Sequence, residues 1–256
     1  MEQYASAAYC RNNYNSPGDS ITCGFKNCPL VEAANASSII EYASTLGTGV
    51  TGYVGTDPRN KLIVVAFRGS ATLENWFTNM NYNAVSTDLC DGCTAHGGFW
   101  QSWVDSRKDI LAALKQLAKS YPDYKMVATG HSLGGAVATL AAAQLRRDGY
   151  NVALYTFGAP RIAGSTLSSY ITNQPGGNYR VTHWNDPVPR VPPIAFGFVH
   201  ISPEYYINKG NGQQVGAGDI IKYEGSLNLR GNAAWLLTDV FAHGWYFNSI
   251  AVCFGS

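Results

Sequence analysis

Charge is scarce in this chain. Asp, Glu, Lys and Arg make up 14% of its 256 residues and leave a net charge of +1, so nothing electrostatic favours nucleic acid or an anionic membrane as a partner. No apolar run approaches the roughly 18 residues of a membrane-spanning helix. The N-terminus, MEQYASAAYC, lacks the basic and apolar regions of a secretory signal. The chain is therefore expected to be either cytosolic or the mature form of a secreted protein behind a start Met. No Pro/Gly/Ser-rich linker or charge run divides it, and a single domain over residues 1–256 is expected.

Cysteine is present in a pattern. Cys23 and Cys28 form one close pair (CGFKNC), Cys90 and Cys93 another (CDGC), and Cys10 and Cys253 lie near the two ends. Six cysteines allow many connectivities. The close pairs suggest Cys23–Cys28 and Cys90–Cys93, which leaves Cys10 and Cys253 to tie the ends together. The competing reading, a zinc site from the two close pairs, has less support because their surroundings are turn-rich and carry no basic cluster. Disulfides imply an oxidising compartment. In that setting Asn35, in the triplet Asn35-Ala36-Ser37, is an exposed glycosylation candidate.

Strand-like runs fall at residues 50–55, 62–67, 125–129, 152–157, 179–183 and 219–224, several of them continuously apolar as buried strands are. Between them lie helical patterns. Residues 104–119 place Ile110, Leu111, Leu114, Leu117 and Ala118 on one face, with Pro122 soon after the end. Residues 133–147 form a small-residue helix that Asp148-Gly149 terminates. The alternation predicts an α/β domain with a mostly parallel central sheet covered by helices. The first two runs, joined by TDPRN, read instead as an antiparallel hairpin at the sheet edge.

The stretch VATGHSLGGAVATL reads as strand, sharp turn, helix, and holds Gly130-His131-Ser132-Leu133-Gly134. That G-x-S-x-G pattern, in that context, lifts a serine hydroxyl out at a strand end and a helix N-terminus, where backbone N–H groups stabilise negative charge. A hydroxyl needs a base to become a nucleophile. With the partners later in the chain in the order acid then His, Asp186 in RVTHWNDPVPR suits a carboxylate just past a strand end. His243 is favoured as the base, with His200 left open by the pattern alone. The carboxylate would fix the imidazole tautomer rather than take the proton. No cofactor or metal is called for, because nucleophile, base and oxyanion donors complete an acyl transfer. His96 and His200 read as backbone-bonding residues rather than metal ligands.

These segments, with SAAYC, CPLVEA, KLIVVAFRGS, ENW, LYTFGAPR, RVTHWNDPVPRVPP, SPEYYI and AHGWYF, resemble the secreted fungal class 3 lipases (Rhizomucor/Thermomyces-like). That family also holds mono- and diacylglycerol lipases and feruloyl esterases. The resemblance implies an α/β-hydrolase fold, extracellular location and the same three disulfides. It implies Ser132 as nucleophile, Asp186 as acid, His243 as base, and the N–H groups of Ser70 and Leu133 as the oxyanion hole. Tyr9 falls where the family has a Tyr near the acyl pocket. There are departures. Trp184 stands where relatives more often have a small residue, and an indole lining the acyl groove would change chain-length preference. The chain also carries little of the N-terminal helix usual in the family.

Residues 73–80 add a further feature. Leu73, Trp76, Phe77 and Met80 follow the i, i+3, i+4, i+7 spacing of an amphipathic helix too short to be stable alone. The bland reading is a stripe docked permanently on the core. The resemblance implies a lid that covers the site in water and turns outward onto lipid. The expected function is a secreted, monomeric lipase hydrolysing glycerolipid esters, triacylglycerol foremost, at a lipid–water interface. Alternatives are a mono- or diacylglycerol lipase, a phospholipase A1 or a feruloyl-type esterase on the same fold, and, from another class, a non-catalytic lipid-binding module.

Overall fold

A computed structural model describes residues 1–43, 49–70 and 81–254. Its centre is an eight-stranded sheet in the order β1-β2-β3-β6-β7-β8-β9-β10. The strands are β1 (Ser37–Ala43), β2 (Thr51–Asp57), β3 (Leu62–Phe67), β6 (Lys125–His131), β7 (Val152–Phe157), β8 (Asn178–His183), β9 (Glu204–Ile207) and β10 (Ile220–Tyr223). Strands β3, β6, β7, β8 and β9 are parallel, while β1, β2 and β10 run antiparallel to their neighbours. A two-stranded ribbon, β4 (Ala84–Ser86) with β5 (Thr94–His96), stands apart from the sheet.

The continuous apolar runs arise because both faces of the sheet are covered. Along β3, Ile63, Val65 and Phe67 join one core with Trp103, Leu114 and Leu140, while Val64 and Ala66 join another with Tyr4, Ala7 and Val31. The first core is closed by α3 (Gly97–Ser120) and α4 (Leu133–Arg147), the second by α1 (Glu2–Ala7) and α2 (Pro29–Ala33). A further α-helix among the described residues, α5 (Ser165–Asn173), follows β7. Helix α4 has the predicted bounds, and its run of alanines is buried throughout.

Two expectations are corrected. The β2–β3 hairpin is antiparallel as read, but β1 lies outside β2 and takes the edge. Helix α3 starts at Gly97, seven residues before the predicted start. Two leading glycines hide the first turn, although Phe99 within it and Trp103 in the next are buried. The three expected disulfides, Cys10–Cys253, Cys23–Cys28 and Cys90–Cys93, are formed, so the close pairs are not zinc ligands. Among the described residues no helix is long and apolar enough to cross a membrane.

Register positions the site. Phe67 of β3 pairs with Gly130 of β6, His131 with Phe157 of β7, and Phe157 with Val181 of β8. The loops that follow these strands therefore emerge side by side at the carboxyl end of the sheet, where open α/β sheets bind ligands.

Candidate active site

Ser132 sits between β6 and α4 with φ 58° and ψ −131°, a backbone state costly for a residue with a Cβ. The turn is held by the Ser132 N–H donating to the Phe157 carbonyl at 2.9 Å. Its glycines are there because of close approach. A Cβ on Gly130 would lie 2.3 Å from the Gly134 carbonyl oxygen, and one on Gly134 would lie 2.1 Å from that of Phe67. Among the described residues the Ser132 Oγ has no hydrogen-bond partner. Leu133 is the first residue of α4, where backbone N–H groups have no acceptor within the helix.

Asp186 lies on the loop after β8 and is fully buried. Its Oδ2 accepts from His243 Nδ1 at 2.8 Å and from the Tyr246 hydroxyl at 2.5 Å, and its Oδ1 accepts the Val188 N–H at 2.8 Å. The Asn232 amide donates to the Asp186 carbonyl at 2.9 Å. Burial, with Asp186 beside it, pushes the Tyr246 phenol well above its ordinary value, so it remains a donor. His243 comes from a 3₁₀ turn, Val240–Gly244, capped by Asp239 accepting the Phe241 N–H. With Nδ1 on the carboxylate, Nε2 is left without a partner among the described residues. This is the tautomer a base needs to take a proton at Nε2. Gly158, at the end of β7, has φ 58°, and a Cβ there would come within 2.9 Å of Asp186 Oδ2, His243 Cε1 and the Tyr246 hydroxyl.

A cavity of about 290 Å³ opens in front of the serine, lined by Tyr9, Ser70, His131, Ser132, His243, Gly244, Ala251 and Phe254. It brings together the expected nucleophile, base, strap residue and Tyr9. A larger apolar groove of about 420 Å³, between Met1, Glu2 and a row of Tyr155, Tyr179 and Tyr205, lacks any such pairing of nucleophile and base. Leu73, Trp76, Phe77 and Met80 lie outside the described residues. Trp184 is not among the described cavity walls. Its φ of 42° turns the chain, and its indole packs on Trp235 with ring centroids 4.5 Å apart. His200 is not the base. Its Nε2 lies 2.7 Å from the Pro189 carbonyl, and burial beside Arg180 and Arg161 holds it well below the usual imidazole range.

Sequence reasoning gave no role to Tyr246, Gly158, Asn232 or His131. The first two stand inside segments quoted above, AHGWYF and LYTFGAPR, but only folding shows what they touch.

Strand–turn–helix serine, buried Asp–His pair and adjoining strap define a serine hydrolase of the α/β-hydrolase fold. The family model described as lipase (class 3) matches residues 64–196. Secreted mono- and diacylglycerol lipase A of Penicillium camembertii is 44% identical over 250 residues, covering 96% of this chain and 82% of that protein. Secreted mono- and diacylglycerol lipase 1 of Fusarium solani is 44% identical over 255 residues, covering 98% and 75%. A crystal structure of mono- and diacylglycerol lipase from Aspergillus oryzae superposes with a TM-score of 0.95 at 43% identity, over 98% of this chain and 96% of that one. The chain belongs to the class 3 lipase family. It is a carboxylic ester hydrolase, as the resemblance implied.

Proposed function

We propose that the protein is a secreted lipase that hydrolyses glycerolipid esters through an acyl-enzyme, with Ser132 as nucleophile, His243 as base and Asp186 as its orienting carboxylate. As Ser132 Oγ attacks the ester carbonyl, His243 Nε2 takes its proton. The N–H groups of Ser70 and Leu133 stabilise the oxyanion. Collapse expels the glyceride alkoxide, which takes that proton from His243. Water, activated by the same imidazole, then releases the fatty acid. The observation that carries this reading is the 2.8 Å contact between His243 Nδ1 and a fully buried Asp186, with both His243 and Ser132 on the wall of one cavity.

The apolar stripe at Leu73, Trp76, Phe77 and Met80 serves as an interfacial lid in this proposal, and the enzyme acts as a monomer. Trp76→Ala is expected to lower turnover of emulsified triglyceride more than that of a soluble short-chain ester. Equal losses on both would remove the lid. A second reading, preference for mono- and diglycerides, is favoured by the names of the relatives at 44% identity.

The deciding experiment is a rate panel on emulsified tri-, di- and monoglyceride, phospholipid and methyl ferulate, above and below each solubility limit. Turnover of all three glycerides, rising once an interface forms, supports the first reading. Triglyceride left intact selects the second, and activity on methyl ferulate alone overturns both. Failure of a serine-directed phosphonate to label Ser132 in detergent would point to a binding protein.

A further inference from the structure

His131 is used by none of these steps, yet it is 1% exposed and is the last residue of β6, directly before the strained serine. Both of its ring nitrogens are engaged. Nε2 lies 2.8 Å from the carbonyl oxygen of His243, and Nδ1 lies 2.6 Å from the hydroxyl of Tyr9. That hydroxyl oxygen also accepts the backbone N–H of Gly69 at 3.0 Å. A carbonyl can only accept, so Nε2 carries the hydrogen, and a neutral ring then accepts at Nδ1. The Tyr9 hydroxyl must donate to that nitrogen, which frees its oxygen for Gly69. The directions agree along the whole chain, from Gly69 N–H through Tyr9 and His131 to the His243 carbonyl.

We propose that His131 is a positioning residue that ties two separate loops, the oxyanion strap at Gly69-Ser70 and the turn carrying His243, to the strand that holds the nucleophile. The proposal rests on the assignment of Ser70 and His243 made above. Neither loop is hydrogen-bonded to the other directly among the described residues, so the imidazole and Tyr9 form the link between them. Burial is the leading cause that keeps the ring neutral, with the neighbouring His243 ring next, at 4.4 Å between centroids. A displacement of about 1 Å in a catalytic group costs on the order of a hundredfold in rate, so holding the donors and the base in register is a kinetic function.

Three variants separate the arms. Tyr9→Phe removes the hydroxyl from Gly69 and from Nδ1. His131→Gln keeps a donor near the Nε2 position and loses the Nδ1 acceptor. His131→Asn keeps an acceptor near Nδ1 and loses the donor to His243. With a soluble short-chain p-nitrophenyl ester, Tyr9→Phe and His131→Gln are expected to lower kcat by about tenfold with KM within about twofold. An alkylboronic acid, which mimics the tetrahedral oxyanion, should bind them more weakly by the same factor. His131→Asn should lower kcat while leaving boronate affinity nearer the parent's. In the intact enzyme, ¹⁵N spectra should show His131 as the Nε2–H tautomer. If kcat and boronate affinity stay within about twofold in the variants, or the spectrum shows Nδ1–H, the proposal is wrong. Loss of phosphonate labelling in the parent would instead remove the catalytic assignment beneath it.

A separate observation concerns Asn35, which begins the single Asn-X-Ser/Thr triplet with X other than Pro in the sequence. It is exposed, stands at φ 53° in the turn between α2 and β1 with its backbone N–H on the Glu32 carbonyl, and its side-chain amide has no partner among the described residues. Three disulfides and secreted relatives point to the route on which such triplets are glycosylated. We infer that Asn35 carries an N-linked glycan. In that step Asn35 Nδ2 bonds to C1 of a lipid-linked oligosaccharide, the bond from C1 to the lipid pyrophosphate breaks, and Nδ2 gives up a proton. Protein secreted from a yeast host should lose mass on treatment with an N-glycosidase, with Asn35 converted to Asp. Asn35→Gln and Ser37→Ala should each abolish the shift. Secreted parent protein at the unmodified chain mass would overturn the inference.

Discussion

Asp186 Oδ2 is shared between the imidazole it orients and the hydroxyl of Tyr246. A charge-assisted hydrogen bond of this kind contributes about 1.5–3 kcal/mol, and its loss leaves the carboxylate free to turn. Tyr246→Phe is expected to lower kcat about tenfold or more with little change in KM, measured on a soluble ester. Gly158→Ala should be harsher. It places a side chain at φ 58° and within 2.9 Å of three atoms of the acid–base assembly. We expect most activity to be lost and the thermal midpoint to fall. An active Gly158→Ala enzyme would mean that the acid loop can retreat without cost. At this scale the sequence was legible where function sits in a local pattern. Ser132 announces itself through its flanking glycines, and Asp186 through its place after a strand. Tyr246 meets Asp186 from 60 residues away, and no local spacing encodes that meeting.

Elements were legible where their burial is two-sided. Strands β3, β6 and β7 read as apolar runs because helices cover both faces, whereas β1, an edge strand with partly exposed residues, gave no such run. The loop that ends in His243 is polar in its backbone anchoring and apolar in what it exposes. Its backbone is held to the acid loop, Asp239 N–H donating to the Asn185 carbonyl at 3.2 Å and Arg190 to the Trp235 carbonyl at 2.6 Å. Its apolar side chains are left outside, with Leu236 97%, Leu237 81% and Phe241 79% exposed. An apolar cluster that stays in water beside His243, the proposed base, is a candidate for contact with a lipid surface. The combined change of Leu236, Leu237 and Phe241 to Ser should reduce adsorption to an oil emulsion, measured by depletion from the aqueous phase. Retained adsorption would leave the lid stripe as the main contact.

The whole molecule carries a pH liability. His96, His131, His183 and His200 are all buried, and burial is the leading cause that holds each below the usual imidazole range. The unfolded chain binds protons at these residues below about pH 6.5, where the folded chain does not. Their depressed values therefore contribute stability above that pH, and the contribution is lost as pH falls below it. Urea unfolding should show a clearly lower midpoint at about pH 5 than at about pH 7.5, with the decline beginning near 6.5. Equal midpoints would contradict the neutral, buried state of these rings. None of this was visible in the sequence, where a histidine in a loop and one in a core look alike.

The 290 Å³ cavity has walls from both ends of the chain, with Tyr9 on one side and His243, Ala251 and Phe254 on the other. The Cys10–Cys253 bridge joins those ends. A ribosome delivers the serine and the acid long before the base and the last wall residues. On the proposed assignment, a chain made only as far as Asp186 holds its nucleophile with no base to activate it and only part of the cavity wall.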